Sequence, residues 1–446
     1  MKSKEPSKNP WALSPELNIN IATLLSRKAL SALLCTSGFF HYNKSIRDVW
    51  DAKPRQEAKI VAGDAHYFLL DGNGRLFGRG RCEQLGLINK DRKSNVTEIV
   101  INGLQADEFI QDVDTREHHS LVLTSKNRVF SCGNNDNGQL GHGDTAKRTI
   151  FKEVFINNLE EGEVIKSVCA SYSHSFVLTI KGRLWGCGDN LYGQLGLGHN
   201  RDKKKFTEII MENLGPDELI QSVCAGDSHS LVLTSKGRLF QCGDKNAFRR
   251  HYHYKNLPSQ TTFQEIIIEN LGPGESLQSV CSGSNYGIVL TNKGRLFDCG
   301  GNFSSPFGLG RGNNPEIIIK ELYKNEFVQK IYTGRFSAFI ITSRNRLFGC
   351  GYNRHGQLGL GHGDEVKVFT EIIVKDLRPG ELFQSICSGN YKTFMFTDTN
   401  RLYSTVSKYS DLWERFTTSC TFIEDSLPCL GQKKEEDSKN EICSLQ

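Results

Sequence analysis

The chain has no apolar run of 18 residues, so no stretch of it reads as a membrane-spanning helix. Its start, Met1-Lys-Ser-Lys-Glu-Pro6, lacks the apolar core of a secretory signal. It also lacks a long basic block. The formal net charge of +5 is spread along 446 residues, which argues against nucleic acid as a direct partner, because such binders concentrate positive charge on one face. No Cys-x-x-Cys pair is present, and no metal site is expected. There is no Gly-x-Ser-x-Gly elbow, no phosphate-binding Gly-Lys-Ser/Thr loop and no His-Glu-x-x-His helix. The residues therefore predict neither a catalytic constellation for covalent chemistry nor a cofactor.

What the chain does contain is one sentence written seven times, about every 55 residues. One copy runs from Ser222 to Gly243, and the others begin near Ile60, Ile110, Ile165, Leu277, Val328 and Phe383. A period of this size marks an array of like units, each too small to bury its own core. Each unit holds an alternating run such as Ser230-Leu-Val-Leu-Thr234, which suits a half-buried strand, then a tight turn and a second strand, Arg238-Leu-Phe240. The residue before the repeated Arg is Gly74, Asn127, Gly182, Gly237, Gly294, Asn345 or Asn400. Only Gly and Asn readily take the positive φ that a hairpin turn demands. Three residues after that position an aromatic group follows in all seven units, from Phe77 to Tyr403, with Leu or Val between it and the Arg. A further strand-like piece closes most units, as in Phe151–Val154, Phe206–Ile209 and Phe369–Ile372, with Trp413–Phe416 as the candidate in the last. The first and last copies look like ordinary members and not like polar caps, so the array is expected to close on itself. The fold class is an all-β seven-bladed β-propeller over residues 58–425. The sequence leaves the mode of ring closure open.

Fourteen cysteines would be many for a zinc-free cytosolic protein if they were scattered, but most are not. Cys132, Cys187, Cys242, Cys299 and Cys350 share one repeat position, and Cys169, Cys224, Cys281 and Cys387 another. Both sets are expected to be small apolar core residues in a reducing compartment.

The repeat resembles that of the regulator of chromosome condensation family. The likeness rests on Ala225-Gly-Asp-Ser-His229, on Leu-Thr-x-x-Gly-Arg-Leu, and on Asn-x-x-Gly-Gln-Leu-Gly-Leu-Gly at 190–198 and 353–361, nearly so at 135–143. The Gly-Gln-Leu-Gly elements read as turn and packing features and not as phosphate cradles. In this family, acidic and His residues in the turn before the main strand help expel nucleotide from the small GTPase Ran. The matching positions are Asp64, His66, Glu117, His118, His119, Asp227 and His229. In the last three blades the turn reads Asn285-Tyr-Gly287, Phe336-Ser-Ala338 and Tyr391-Lys-Thr393. The open alternative is structural: the repeated His holds its turn by a hydrogen bond to a neighbouring backbone group. Where the fourth unit should read Gly-Gln-Leu-Gly it reads Phe248-Arg-Arg-His-Tyr-His-Tyr-Lys255. Arg249, Arg250, His251, Tyr252, His253 and Tyr254 suit an acidic protein surface, or else form a variable loop.

The ends of the chain follow other rules. Residues 1–9 are expected to be disordered. Residues 10–55 carry apolar groups at helical spacing and resemble an F-box, on Leu13, Pro15, Leu17, Ile21, Leu24, Leu30, Leu33 and Trp50. That resemblance implies docking on the linker protein of a cullin-type ubiquitin ligase. The alternative is a small helical cap that packs on the propeller. Residues 426–446 form a polar tail, expected to be disordered, that ends Cys443-Ser-Leu-Gln446, the Cys-a-a-X form read by a prenyl transferase. Lipid at Cys443 would hold the protein at a membrane, on the cytosolic side of a eukaryotic cell. The order F-box, propeller, Cys-a-a-X is similar to that of effectors which intracellular bacteria send into eukaryotic hosts. Two functions follow as expectations. The first is a membrane-anchored propeller that engages the Ran cycle, as an activator or guanine-nucleotide exchange factor. The second is an F-box receptor whose propeller captures a protein for ubiquitination.

Overall fold

The computed structural model describes residues 57–63, 66–87, 93–244, 260–299, 315–399, 401–405 and 422–425. The strands form seven four-stranded antiparallel sheets, spanning 59–99, 110–154, 165–209, 220–266, 277–317, 328–372 and 383–425. Each sheet keeps its strands in chain order, so a blade is one uninterrupted stretch of sequence. Blades are numbered 1 to 7 along the chain. The first strand of each is innermost: Lys59–Ala62, Ile110–Arg116, Ile165–Ala170, Ile220–Ala225, Leu277–Ser282, Val328–Thr333 and Phe383–Ser388 follow one another around the axis.

The hairpin between second and third strands forms as its residues dictate. Positive φ occurs at Gly74 (76°), Asn127 (63°), Gly182 (72°), Gly237 (72°), Gly294 (76°) and Asn345 (57°). Asn400 lies outside the described residues. The second strands are not half-buried as their alternation suggests. His229–Thr234 is buried at all six positions, because each blade is sandwiched between two others. Ser230 and Thr234 tolerate this since both hydroxyls donate hydrogen bonds, to Gln194 O and to Glu218 Oε1. The core is accordingly a set of layers between blades. Phe176, Leu178 and Leu184 of blade 3, for example, meet Val232, Phe240 and Cys242 of blade 4. Cys132, Cys187, Cys242, Cys299 and Cys350 are core residues as expected. Cys169, Cys224, Cys281 and Cys387 are only partly buried, on the innermost strands.

No strand is exchanged to close the ring. Blade 7 meets blade 1 through side chains: Phe394, Phe396 and Leu402 meet Ile60, Tyr67 and Leu69, with the Tyr67 and Phe394 rings 4.3 Å apart. A Cβ on Gly389 would stand 2.3 Å from Gly63 O, so the two backbones approach closely there. The outer strand of blade 7 is Phe422–Asp425, not Trp413–Phe416, which falls outside the described residues. The outer strands of blades 2, 3, 4 and 6 read Phe-x-Glu, and Phe422-Ile-Glu424 keeps that order whereas Trp413-Glu-Arg-Phe416 reverses it. The one helix among the described residues is the single turn Cys82–Leu85, in the blade 1 counterpart of the Gly-Gln-Leu-Gly loop. The F-box-like segment and the Cys443 tail lie outside the described residues.

Candidate functional site

The turn joining each innermost strand to the second strand stands at the mouth of the axis. His229 pairs with Gly243 at the end of the third strand, so the loop after that strand shares the same face. Strand pairing also fixes the register of these turns. Ser337 faces Gly351 as His229 faces Gly243, and Gly287 faces Ser282 as Ser230 faces Ala225. Tyr286 and Ser337 therefore take the histidine slot, one residue earlier than the sequence alignment of the last blades suggested.

The slot histidines are buried and join blades. His119 Nε2 lies 2.8 Å from Ser175 Oγ, His174 Nε2 3.0 Å from Ser230 Oγ, and His229 Nε2 2.9 Å from Ser282 Oγ, each in the next blade. His66 Nε2 meets Thr115 Oγ1 of blade 2 at 2.6 Å. Ser175 in turn donates to Gln139 O (2.8 Å) and Ser230 to Gln194 O (2.7 Å), so each oxygen accepts from the histidine N–H. Burial pushes His66 and His119 down to about 3 and His229 to about 4, which keeps all three neutral near pH 7. Their partner is thus neither a GTPase nor their own turn's backbone but the next blade.

The acidic candidates are also inside. Glu117 and Asp227 are 5% and 6% exposed. Arg335 of blade 6 reaches both, pairing with Glu117 of blade 2 and lying 3.7 Å from Asp227 of blade 4. Ser284 of blade 5 also donates to Asp227, whose N–H bonds Ser284 O at 2.8 Å, and Ser284 N–H bonds Arg335 O at 2.9 Å. One residue deeper, Arg116 crosses the axis to Ala225 O (2.8 Å) and Ser282 O (3.2 Å). Below it Lys59 pairs with Asp112 at 2.8 Å. Burial alone would lower the Lys59 pKa, but Asp112 and Asp114 outweigh it and hold the ammonium charged. The axis is therefore filled by ion pairs and hydrogen bonds that tie distant blades together.

What faces outward at this mouth is aromatic. Among the described sequence candidates only His118 is substantially exposed, with its ring edge-on to Tyr172 at 5.9 Å. Arg335 lies over Tyr172 (5.7 Å) and Phe336 (5.1 Å). From Phe336 the rings continue to Tyr352 (6.3 Å), His355 (5.8 Å) and Tyr391 (4.8 Å). Phe336 and Tyr391 are 38% and 49% exposed, high for aromatic side chains with no polar duty in the turn. Sequence reasoning passed over this arc because it scored acids and histidines, while Phe336 and Tyr391 were visible as departures from the repeat. Asp64 and residues 249–254 lie outside the described residues. Among the described residues no group of three or more His, Cys, Asp or Glu is placed to hold a metal.

The Gly-Gln-Leu-Gly loops lap onto the next blade. Gly143 N–H bonds Lys204 O at 2.7 Å, and a Cβ on Gly138 would stand 2.7 Å from Lys204 Cα. The opposite face carries a device the sequence reading missed. Arg238 donates to Glu218 before the blade (2.8 Å) and to Glu265 in the outer strand (2.8 Å), and lies 4.8 Å over the Phe240 ring. The clamp recurs at Arg128, Arg183, Arg295, Arg346 and Arg401. In blade 1, Arg75 pairs with Asp71 at 2.7 Å. Burial would raise the inner glutamate, but Thr234 O–H, Gly215 N–H and Arg238 outweigh it and hold Glu218 below the usual carboxylate range.

Comparison with known proteins agrees with this geometry. Models of the regulator of chromosome condensation (RCC1) repeat match residues 165–194, 220–249 and 328–357, and residues 126–178 and 181–233. The ultraviolet-B receptor UVR8 of Arabidopsis thaliana is 28% identical over 70% of this chain and 68% of its own length. The secretion-regulating guanine nucleotide exchange factor of Bos taurus is 29% identical over 64% of this chain and 60% of its own length. For several other curated relatives the chain spans about half their length. The structure of Prp20p from Saccharomyces cerevisiae, studied for its binding to Gsp1p and histones, superposes with a TM-score of 0.60. That alignment covers 78% of this chain and 82% of Prp20p at 14% identity, a likeness of fold. The RCC1 repeat is thus matched in blades 2, 3, 4 and 6, and the fold that carries it is a seven-bladed propeller.

Proposed function

We propose that the protein regulates a Ran-type small GTPase, binding it through the face of the inner turns and promoting loss of its guanine nucleotide. The observation that carries this reading is the aromatic arc of Phe336, Tyr352, His355 and Tyr391, exposed at Phe336 and Tyr391 and half-buried between them, beside Arg335 and His118. Rigid aromatic groups with a nearby Arg are the residues that dominate protein interfaces. Here they sit on turns fixed by the filled axis, so little order is lost on binding. Exchange needs no covalent chemistry. It requires only that the nucleotide-free GTPase bind more tightly than the loaded one. The exchange-factor relative supports the class of activity. Residues 249–254, if they join the interface, add cations for an acidic partner surface.

The test is release of labelled guanine nucleotide from purified Ran. Wild-type protein should accelerate release, and Phe336→Ala with Tyr391→Ala should cut the acceleration by about tenfold or more. The melting temperature should hold, since both side chains are exposed. A wild-type protein that neither binds Ran nor speeds release overturns the proposal. Cys443 gives the protein its proposed address, a membrane. Capture of the cullin linker without Ran would make the substrate-receptor reading the better one.

A further inference from the structure

The face opposite the inner turns carries two concentric rings of exposed apolar side chains. The inner ring is the residue just before the innermost strand in five blades, Phe109, Val164, Leu219, Phe327 and Leu382, each 40–50% exposed, with the polar Ser276 in the same place in blade 5. The outer ring is the residue just after each outer strand: Val100, Phe155, Ile210, Ile267, Ile318 and Ile373, each 64–77% exposed. Single exposed apolar residues need no explanation, but a repeated concentric set on one face marks a contact surface.

The described chain begins at Glu57, two residues before the innermost strand of blade 1, and the outer strand of blade 7 ends at Asp425, so both ends of the described chain lie on this face.

We propose that the inner ring is the seat of the chain's own N-terminal segment, residues 10–55, which covers it with an apolar face. The segment has the complementary chemistry. Leu17, Ile21, Leu24, Leu30, Leu33 and Leu34 recur at helical spacing, and between Leu17 and Leu34 the only charges are Arg27 and Lys28. It is also near at hand, because the described chain begins on this face at Glu57. Beside the ring Lys126 pairs with Asp107 at 2.8 Å and Lys181 with Glu160, while Lys236 and Lys293 donate to Pro216 O (2.6 Å) and Pro273 O (2.7 Å).

Hydrogen exchange of the full-length protein, read by mass spectrometry, tests this. Amides within 10–55 should exchange at least tenfold more slowly in wild type than in Phe327→Ser with Leu382→Ser. The propeller's melting temperature should be the same in both, since these two side chains are 48% and 50% exposed. Phe109→Ser with Leu219→Ser, on the other side of the ring, should act alike and serves if the first variant does not fold. Unprotected amides in 10–55 of wild type, or protection unchanged in both variants, overturn the proposal. So does protection that rises with protein concentration, which would assign the ring to a second copy. Protection of the ring seen only with phosphatidylcholine–phosphatidylserine vesicles would assign it to a lipid surface and likewise overturn the proposal.

Discussion

Ser175 is held from two sides, accepting from His119 of blade 2 and donating to Gln139 O of the same blade. Its removal therefore leaves a buried imidazole N–H without this partner and leaves Gln139 O with only the weak Cys187 thiol donor at 3.4 Å. Ser175→Ala should cost about 1–3 kcal/mol, the range for stranding a buried polar group, seen as a lower urea midpoint. Ser173, in the preceding turn and outside this relay, supplies the control. If both substitutions lower the midpoint equally, the relay does not join the blades as described. The sequence already carried the trace of this contact, because His119-Ser120, His174-Ser175 and His229-Ser230 repeat as a dipeptide. Reading the histidine alone hid its partner, which lies one repeat further on. The cross-axis pairing of Arg335 with Glu117 was not legible at all. It depends on single departures from the repeat in blades 2 and 6, and periodicity says nothing about which departures face each other across a ring.

Within a blade the Arg clamp is the element that fixes both ends of the sheet. Arg238 joins Glu218, which precedes the innermost strand, to Glu265 in the outermost, and so spans all four strands. Glu218 is buried, so Arg238→Ala would leave an uncompensated carboxylate in a low-dielectric site. A loss of roughly 3–5 kcal/mol follows, with a smaller loss for Arg238→Lys, which keeps charge but cannot reach two carboxylates in parallel. Denaturant titration of the two variants decides the matter, and equal losses would remove the bidentate argument. In blades 2 to 7 the inner Glu stands 20 residues before the Arg, the Arg follows the turn residue and the aromatic group comes two further, while the outer Glu follows at a spacing that varies from 21 to 27. Hairpins were legible because φ > 0 restricts the turn to Gly or Asn. The clamp went unread because its members are about 20–27 residues apart and no local rule links them. The same omission misplaced the last outer strand, since Glu424 is identified by its pairing with Arg401.

At the scale of the ring, blade number, closure and the fully buried second strands follow from one condition: each blade is covered by two others. The repeat count was legible for that reason, while the outward-facing arc and the apolar rings were not, because a repeat unit read alone has no inside or outside. The same burial sets the response to acid. His66 and His119 stay neutral in the fold down to about 3 and His229 to about 4, whereas in the unfolded chain each charges near 6.5. Between those limits the unfolded state binds more protons, so stability falls as pH drops, by about 1.4 kcal/mol per pH unit for each histidine. Glu381 adds a term of the same sign lower down. Burial would raise it, but Thr397, Thr399, the Arg378 N–H and Arg401 outweigh this and hold it at about 2, so its contribution is present above 4.5 and lost toward 2. Blade 5 supplies the variant that isolates the histidine effect. Tyr286 fills the slot there, donating to Ser337 O at 2.7 Å, and burial keeps its phenol neutral. Gly283 makes room for that ring, since a Cβ would stand 1.9 Å from Tyr286 Cε1, and Gly226 stands in the same place before His229. His229→Tyr should therefore fold, and its stability plotted against pH from 6.5 to 4 should be shallower than wild type by about 1.4 kcal/mol per unit. A folded variant whose plot keeps the wild-type slope would show that His229 is not held neutral by the blades that enclose it.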